Sequence, residues 1–270
     1  MAVVIAADII ARGAEKLRAA GCDNAWLEAR WLAEDARSET EYKSFLARRA
    51  GGEPLHRILG WREFWGLRFA LSPETLEPRP DSETVIETLI TLRPEKNIHY
   101  RVLDLGTGTG CLLLAALHEY SQGIGVGIDA ATGAVAAAQK NAAYLNLAAR
   151  AQFQRLDWGD TAALQALGTF DVIVCNPPYI PSRDIAALAQ DVQRYDPRAA
   201  LDGGADGLAP YRLLAPQLRR LLAPGGIALF EIGHDQAAAI KAIFQSENLR
   251  AGGPWQDLGG KDRVITAQRE

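Results

Sequence analysis

The stretch VCNPPYIP, Val174 to Pro181, leaves an apolar run through one amide, two prolines and an aromatic ring. The prolines fix φ and remove two backbone donors, and the first pushes Asn176 into an extended conformation. What remains is a polar amide and bare carbonyl oxygens in a set geometry. The Asn176 side-chain oxygen and the Pro177 carbonyl oxygen can each accept from the two hydrogens of one NH₂ group. That orients its nitrogen and favours positive charge developing on it. Pro178 adds rigidity, and Tyr179 offers a face to a planar group. Asn-Pro is also an ordinary turn opener, so these letters alone equally describe a strand that stops.

A second constellation lies upstream. DLGTGTG contributes Asp104, Gly106, Thr107, Gly108, Thr109 and Gly110, after an apolar strand and before a helix beginning near Cys111. Glycines permit a tight turn and close approach of another molecule to the backbone. The next strand, GVGID, ends in Asp129, at about the distance downstream where an acid meets the two ribose hydroxyls of a nucleotide. Further on, LDWGD places Asp157 and Trp158 after a third strand region, where Trp158 reads equally as packed core.

These residues need elements to hold them. RVLDL, GIGVGID, TFDVIVCN and GGIALFEI are short β-branched or apolar runs separated by Ala- and Leu-rich helical stretches such as ATGAVAAAQKNAAYL. The alternation predicts a parallel sheet covered on both faces, with strand C-termini along one edge where ligands bind. TFDVIVCN is then the fourth strand, with Asn176 to Tyr179 at its exit. RVITAQ is a last strand of undetermined direction after a Gly-Gly turn. The first sixty or so residues read as three helices: Ile9, Ile10, Ala14 and Leu17 recur at helical spacing, then Ala25, Ala29 and Leu32, then Tyr42, Phe45, Leu46 and Arg49. Asp23 or Asn24 is expected to cap the second. FWGLRFAL alternates around Gly66 as a hairpin does, and LEPRPDSE reads as a linker. The expected organisation is a helical domain over 1–62, a hairpin and linker over 63–80, and an α/β domain over 81–270.

Composition narrows the classes. A chain of 270 residues with 48% hydrophobic and 23% charged residues is ordinary for a soluble globular protein. The net charge of −4 gives no general attraction to a polyanion. Residues 1–75 carry eleven basic and eleven acidic side chains, so this part of the chain has no net basic charge to grip a duplex. Cys22, Cys111 and Cys175 lack metal-ligand spacing and read as reduced thiols, so neither a metal site nor a disulfide is expected. The start, MAVVIAADII, meets Asp8 early, lacks a basic n-region and is too short to span a bilayer. A cytoplasmic protein with no membrane partner is expected.

A dinucleotide loop would read G-x-G-x-x-G, whereas this one reads G-T-G-T-G. D-x-G-x-G-x-G resembles the adenosylmethionine loop of class I methyltransferases. With a methyl donor in place, NPPY serves a nitrogen conjugated with a π system: an adenine amino group, a guanine amino group and a glutamine amide all qualify. Together with EPLHRILGWREFWGLRF, PRPDSE, YDPRAALDGGADGL, LFEIG and DRV, the chain resembles the HemK/PrmC family along nearly its whole length. Those proteins are protein-(glutamine-N5) methyltransferases acting on the Gly-Gly-Gln glutamine of class I peptide-chain release factors.

The resemblance implies a class I (Rossmann-like) methyltransferase sheet with a small N-terminal helical domain that helps dock the release factor. It implies S-adenosyl-L-methionine as cofactor, with Gly106 to Gly110 at its methionine end, Asp129 on ribose, Asp157 accepting from the adenine amino group and Trp158 beside the base. Asn176 would contact both the cofactor region and the substrate amide, with Pro177, Pro178 and Tyr179 completing the substrate pocket, and Arg79 and Glu83 lie near it without an assigned role. Glu77 stands where the family usually has an aliphatic residue, and Asp196 where it usually has glutamate. A ribosomal-protein glutamine methyltransferase, an adenine-N6 or guanine-N2 nucleic-acid methyltransferase, and a cofactor-binding sensor are the alternatives. The balanced N-terminal 75 residues and the acidic total weigh against a nucleic-acid substrate.

Overall fold

The computed structural model describes residues 5–269, so Met1 to Val4 of the apolar start lie outside them. The chain divides into two compact units, one of residues 1–62 with 189–195, the other of residues 63–188 with 196–270.

In the helical unit, helices Ala7–Ala19, Ala25–Asp35 and Glu39–Ala50 pack around Leu17, Leu32 and Tyr42, all fully buried. Ser38 caps the third by accepting from Glu41 N. Asn24 holds the cap position of the second, but its side chain makes no capping hydrogen bond, unlike the sequence expectation; its backbone carbonyl still accepts from Glu28 N. A short fourth helix, Leu55–Leu59, ends at Gly60 in the left-handed region.

A hairpin follows, β1 (Trp61–Phe64) and β2 (Leu67–Ala70), with Trp65 and Gly66 both at positive φ. The main sheet has seven strands: β3 (Arg101–Leu105), β4 (Ile124–Asp129), β5 (Ala151–Arg155), β6 (Phe170–Cys175), β7 (Leu222–Glu231), β8 (Leu249–Gln256) and β9 (Asp262–Arg269). Their spatial order is β5-β4-β3-β6-β7-β9-β8. The first five run parallel, and β9 is antiparallel to both β7 and β8. Period-two alternation splits the interior into two cores. Val102, Val172, Val174, Leu229 and Val264 face helices 83–92, 111–119 and 132–144, while Leu103, Ile173, Phe230 and Ile265 face helices 209–221 and 237–246. Burial on both faces is why these strands read as apolar runs.

The order reverses between β3 and β6, neighbours in space although β4 and β5 separate them in sequence. Leu105 pairs with Cys175, so the loop after β3 and the loop after β6 leave the sheet side by side. An open α/β sheet parts its loops at such a switch point and leaves a crevice.

Candidate functional site

That crevice is a cavity of about 480 Å³. Its walls include Asp104, Gly106, Thr107, Gly108 and Thr109 from the first loop, Asp129 from the end of β4, Asp157 and Trp158 after β5, and Asn176 and Pro178 after β6. Gly110, Pro177 and Tyr179 do not line it. Gly110 sits one step deeper as the cap of helix 111–119, and Pro177 is buried behind the wall.

The glycine loop is built by its backbone. Gly106, Gly108 and Gly110 have φ of 81°, 54° and 82°, values that L side chains avoid. The Trp158 indole lies on Gly106, where an added Cβ would come 2.8 Å from Cζ2. Gly106 N and Thr107 N donate to Ile128 O at 2.9 and 2.8 Å, which ties the loop to β4. Asn141 holds its far side, donating through Nδ2 to Thr109 O and Ala70 O while its Oδ1 accepts from Ala70 N.

Two carboxylates dominate the electrostatics. Asp104 is 1% exposed; Oδ2 accepts from Thr107 Oγ1 at 2.7 Å, while Oδ1 is buried without a partner. Burial pushes this acid up to about 7, against the pull of Thr107. Asp129 accepts from Gly108 N and Ala131 N, both at 2.9 Å, one on each oxygen. Burial raises it too, against those backbone donors. Each oxygen keeps a lone pair, so the carboxylate can still accept from two hydroxyls. Asp157 accepts from Gly159 N at 2.7 Å, which fixes the loop carrying Trp158.

At the exit of β6, Asn176 Nδ2 donates to Ser82 Oγ at 3.1 Å, and Oδ1 accepts no hydrogen bond among the described residues. Tyr179 turns its hydroxyl inward, donating to Glu231 Oε1 at 3.2 Å, instead of presenting its ring to the cavity. The ALDGGADGL segment supports this loop, Ile180 N donating to Leu201 O and Gly203 N to Ile180 O, and from outside it Gln236 Nε2 donates to Tyr179 O. At Gly207, φ 77°, an added Cβ would lie 2.3 Å from Tyr179 O. The repeated glycines therefore have a physical reason.

The segment read as a linker is a wall of the cavity: Pro73, Glu74, Leu76, Glu77, Pro78 and Arg79 all line it. Glu77 is buried at 6% exposure. Arg79 Nη2 donates to Asp196 Oδ2 at 2.5 Å, so the shorter acid still reaches its cation. Glu83 lies away from the cavity and accepts from Trp65 N at 2.7 Å, holding the hairpin turn. Ser82 and Glu231 received no role from sequence, although both stand inside motifs that stood out, PRPDSE and LFEIG. Their partners are too distant in the chain for spacing to reveal.

A sequence profile described as a methyltransferase domain matches residues 96–262. A release factor glutamine methyltransferase of Rhodospirillum rubrum is 43% identical, over 97% of this chain and 84% of the relative. One of Agrobacterium fabrum is 42% identical, over 98% and 97%. Among solved structures, a methyltransferase from Pyrococcus furiosus shares the fold at a TM-score of 0.51 and 17% identity, covering 75% of this chain and 88% of that one.

Proposed function

The chain belongs to the release factor glutamine methyltransferase family, and from that premise we propose how its own residues methylate the amide nitrogen (N5) of the Gly-Gly-Gln glutamine in a class I peptide-chain release factor. The observation that carries this reading is the position of Asn176, which shares one cavity with the glycine loop and Asp129 while its Oδ1 stays open.

The residues fit S-adenosyl-L-methionine. Asp104 Oδ1 is a buried oxygen with no partner, and the cofactor's ammonium would supply one. The bare backbone at Gly106 and Gly108 admits the methionine part, Asp129 accepts from the ribose hydroxyls, and Asp157 and Trp158 meet the adenine. When bound, the cofactor supplies an electrophilic methyl group on a cationic sulfur and leaves as S-adenosyl-L-homocysteine. No metal is part of the proposal.

A glutamine amide nitrogen is a poor nucleophile because its lone pair is delocalised. Asn176 Oδ1, on the cavity wall, accepts from one of its hydrogens, orients the nitrogen and favours the charge that grows on it during transfer. Pro177, behind the wall, and Pro178 keep that acceptor from drifting. Tyr179 stiffens the loop from behind through Glu231. The 1–62 domain is assigned to docking the release factor, with no direct contact to nucleic acid. Among the described residues no helix is long and apolar enough to cross a membrane.

Asn176→Ala is expected to bind S-adenosylmethionine almost as the wild type does and to lose methylation of intact release factor, read as a mass shift of one methyl on the glutamine. Normal turnover in that variant refutes the assignment. Methyl label appearing only in DNA or rRNA refutes the substrate.

A further inference from the structure

Gln236 follows β7 and stands at the N-terminal end of helix 237–246, where its backbone carbonyl accepts from Ile240 N. Its side chain takes no part in capping that helix. The residue is 8% exposed, and its amide is committed to three other segments. Oε1 accepts from Gly233 N at 2.9 Å, in the turn after β7. Nε2 donates to Tyr179 O at 2.9 Å, at the end of the NPPY stretch, and to Gly207 O at 3.3 Å, in the ALDGGADGL segment. A carboxamide suits this junction, since one end accepts from an N–H while the other supplies two hydrogens. Two glycines make room for it: an added Cβ would lie 2.6 Å from Nε2 at Gly207 and 2.9 Å from Oε1 at Gly233.

We propose that Gln236 is a positioning residue for the methyl transfer: by holding the Tyr179 carbonyl to the turn after β7, its amide fixes where Asn176 stands on the cavity wall. The inference rests on the role given to Asn176 above. The arm from Asn176 to Tyr179 is anchored at its start by the sheet, where Cys175 pairs with Leu105 and Phe230. Along the arm, Pro177 and Pro178 lock two backbone torsions, so a displacement at Tyr179 passes back to Asn176 instead of being absorbed on the way. Ser82 Oγ orients the Asn176 amide through Nδ2, whereas Gln236 sets the backbone from which that amide extends. The bond from the Tyr179 hydroxyl to Glu231 is longer, at 3.2 Å, and acts at the far end of a side chain. It constrains the backbone less than a bond on the carbonyl itself.

The test is Gln236→Met, which keeps an unbranched side chain of similar length and removes its hydrogen bonds. Intact release factor is methylated at saturating S-adenosylmethionine, well below the thermal midpoint of the variant, and cofactor binding is measured separately by calorimetry. The variant is expected to lose roughly tenfold or more in kcat, because misalignment at the reacting atoms is felt there. Its KM for release factor and its Kd for S-adenosylmethionine are expected to stay within about twofold of wild type. Tyr120→Phe controls for stability alone. It removes a buried hydrogen bond to Arg93 O at 2.8 Å, just before β4 begins and so at the opposite end of the strands from the cavity, and wild-type kcat is expected.

A kcat in Gln236→Met equal to that of Tyr120→Phe, or a loss that falls on Kd or KM instead of kcat, overturns the proposal. If Gln236→Met does not fold, Gln236→Glu keeps an acceptor for Gly233 N and turns an oxygen on the two carbonyls. Undiminished kcat there overturns the proposal equally, and failure of both variants to fold assigns Gln236 to stability and overturns it as well. Full activity in Gln236→Met beside an inactive Asn176→Ala removes only this inference, whereas full activity in Asn176→Ala removes the reading it rests on.

Discussion

Asp104 and Asp129 end neighbouring strands, yet their surroundings prepare them for different work. Asp129 has a backbone N–H on each oxygen, which stabilises its charge and leaves lone pairs for a diol. Asp104 has one hydroxyl donor, deep burial and a free oxygen, so its charge is costly until a cation arrives. On the proposed reading, in which the cofactor's ammonium meets Asp104, cofactor binding is coupled to proton loss at this acid. Calorimetry is expected to show affinity for S-adenosylmethionine weakening below about pH 7, approaching tenfold per pH unit. Asp104→Asn would flatten that dependence. Asp129→Ala is expected to weaken binding about 10- to 100-fold, from two lost hydrogen bonds to a charged acceptor.

At the scale of elements, the site depends on loops held by other loops. Gly207 places its backbone where Tyr179 O passes, and neither its φ nor its spacing admits a side chain. Gly207→Ala is expected to cost about 1–3 kcal/mol in a denaturant titration and to depress kcat more than cofactor binding, because the shift falls on NPPY. The hairpin has its own clamp. Trp65 takes a left-handed conformation uncommon for a tryptophan, with Glu83 on its N–H and Glu119 accepting from its indole at 2.8 Å. Glu83→Ala leaves that N–H without its carboxylate, and a loss of about 1–2 kcal/mol is expected.

For the whole molecule, two buried acids set the response to pH. Asp104 and Glu231 are both raised to about 7, above their unfolded values, so the folded state retains protons that the unfolded chain has released. Their contribution to stability is highest below the unfolded values, declines as pH rises from about 4 to 7, and is flat above. Denaturant titrations of the cofactor-free protein are expected to give a steeper decline from pH 5 to 8 in wild type than in Glu231→Gln or Asp104→Asn. Saturating S-adenosylmethionine is expected to raise the thermal midpoint and to remove the Asp104 part of the decline. The sheet that buries these acids also joins the site: reversal of strand order between β3 and β6 brings the glycine loop and NPPY to one edge.

Much of this was legible in the amino-acid sequence because it is local. Apolar runs alternating with helical stretches specify a parallel sheet, three glycines in DLGTGTG specify a turn of positive φ, and two prolines after Asn176 specify a rigid exit. Helical spacing likewise marked the first three helices of the first unit. Tertiary structure alone decided the rest, since each remaining feature joins residues far apart in the chain. The 73–79 segment looked like a tether because prolines and charges are exposed in most linkers, and only the fold shows it walling the cavity. The antiparallel β9, the inward turn of Tyr179 onto Glu231 and the Asn176–Ser82 hydrogen bond depend on strand order and burial. Sequence patterns carry the periods of elements, whereas the direction of a hydrogen bond across 94 residues is set only when the chain packs.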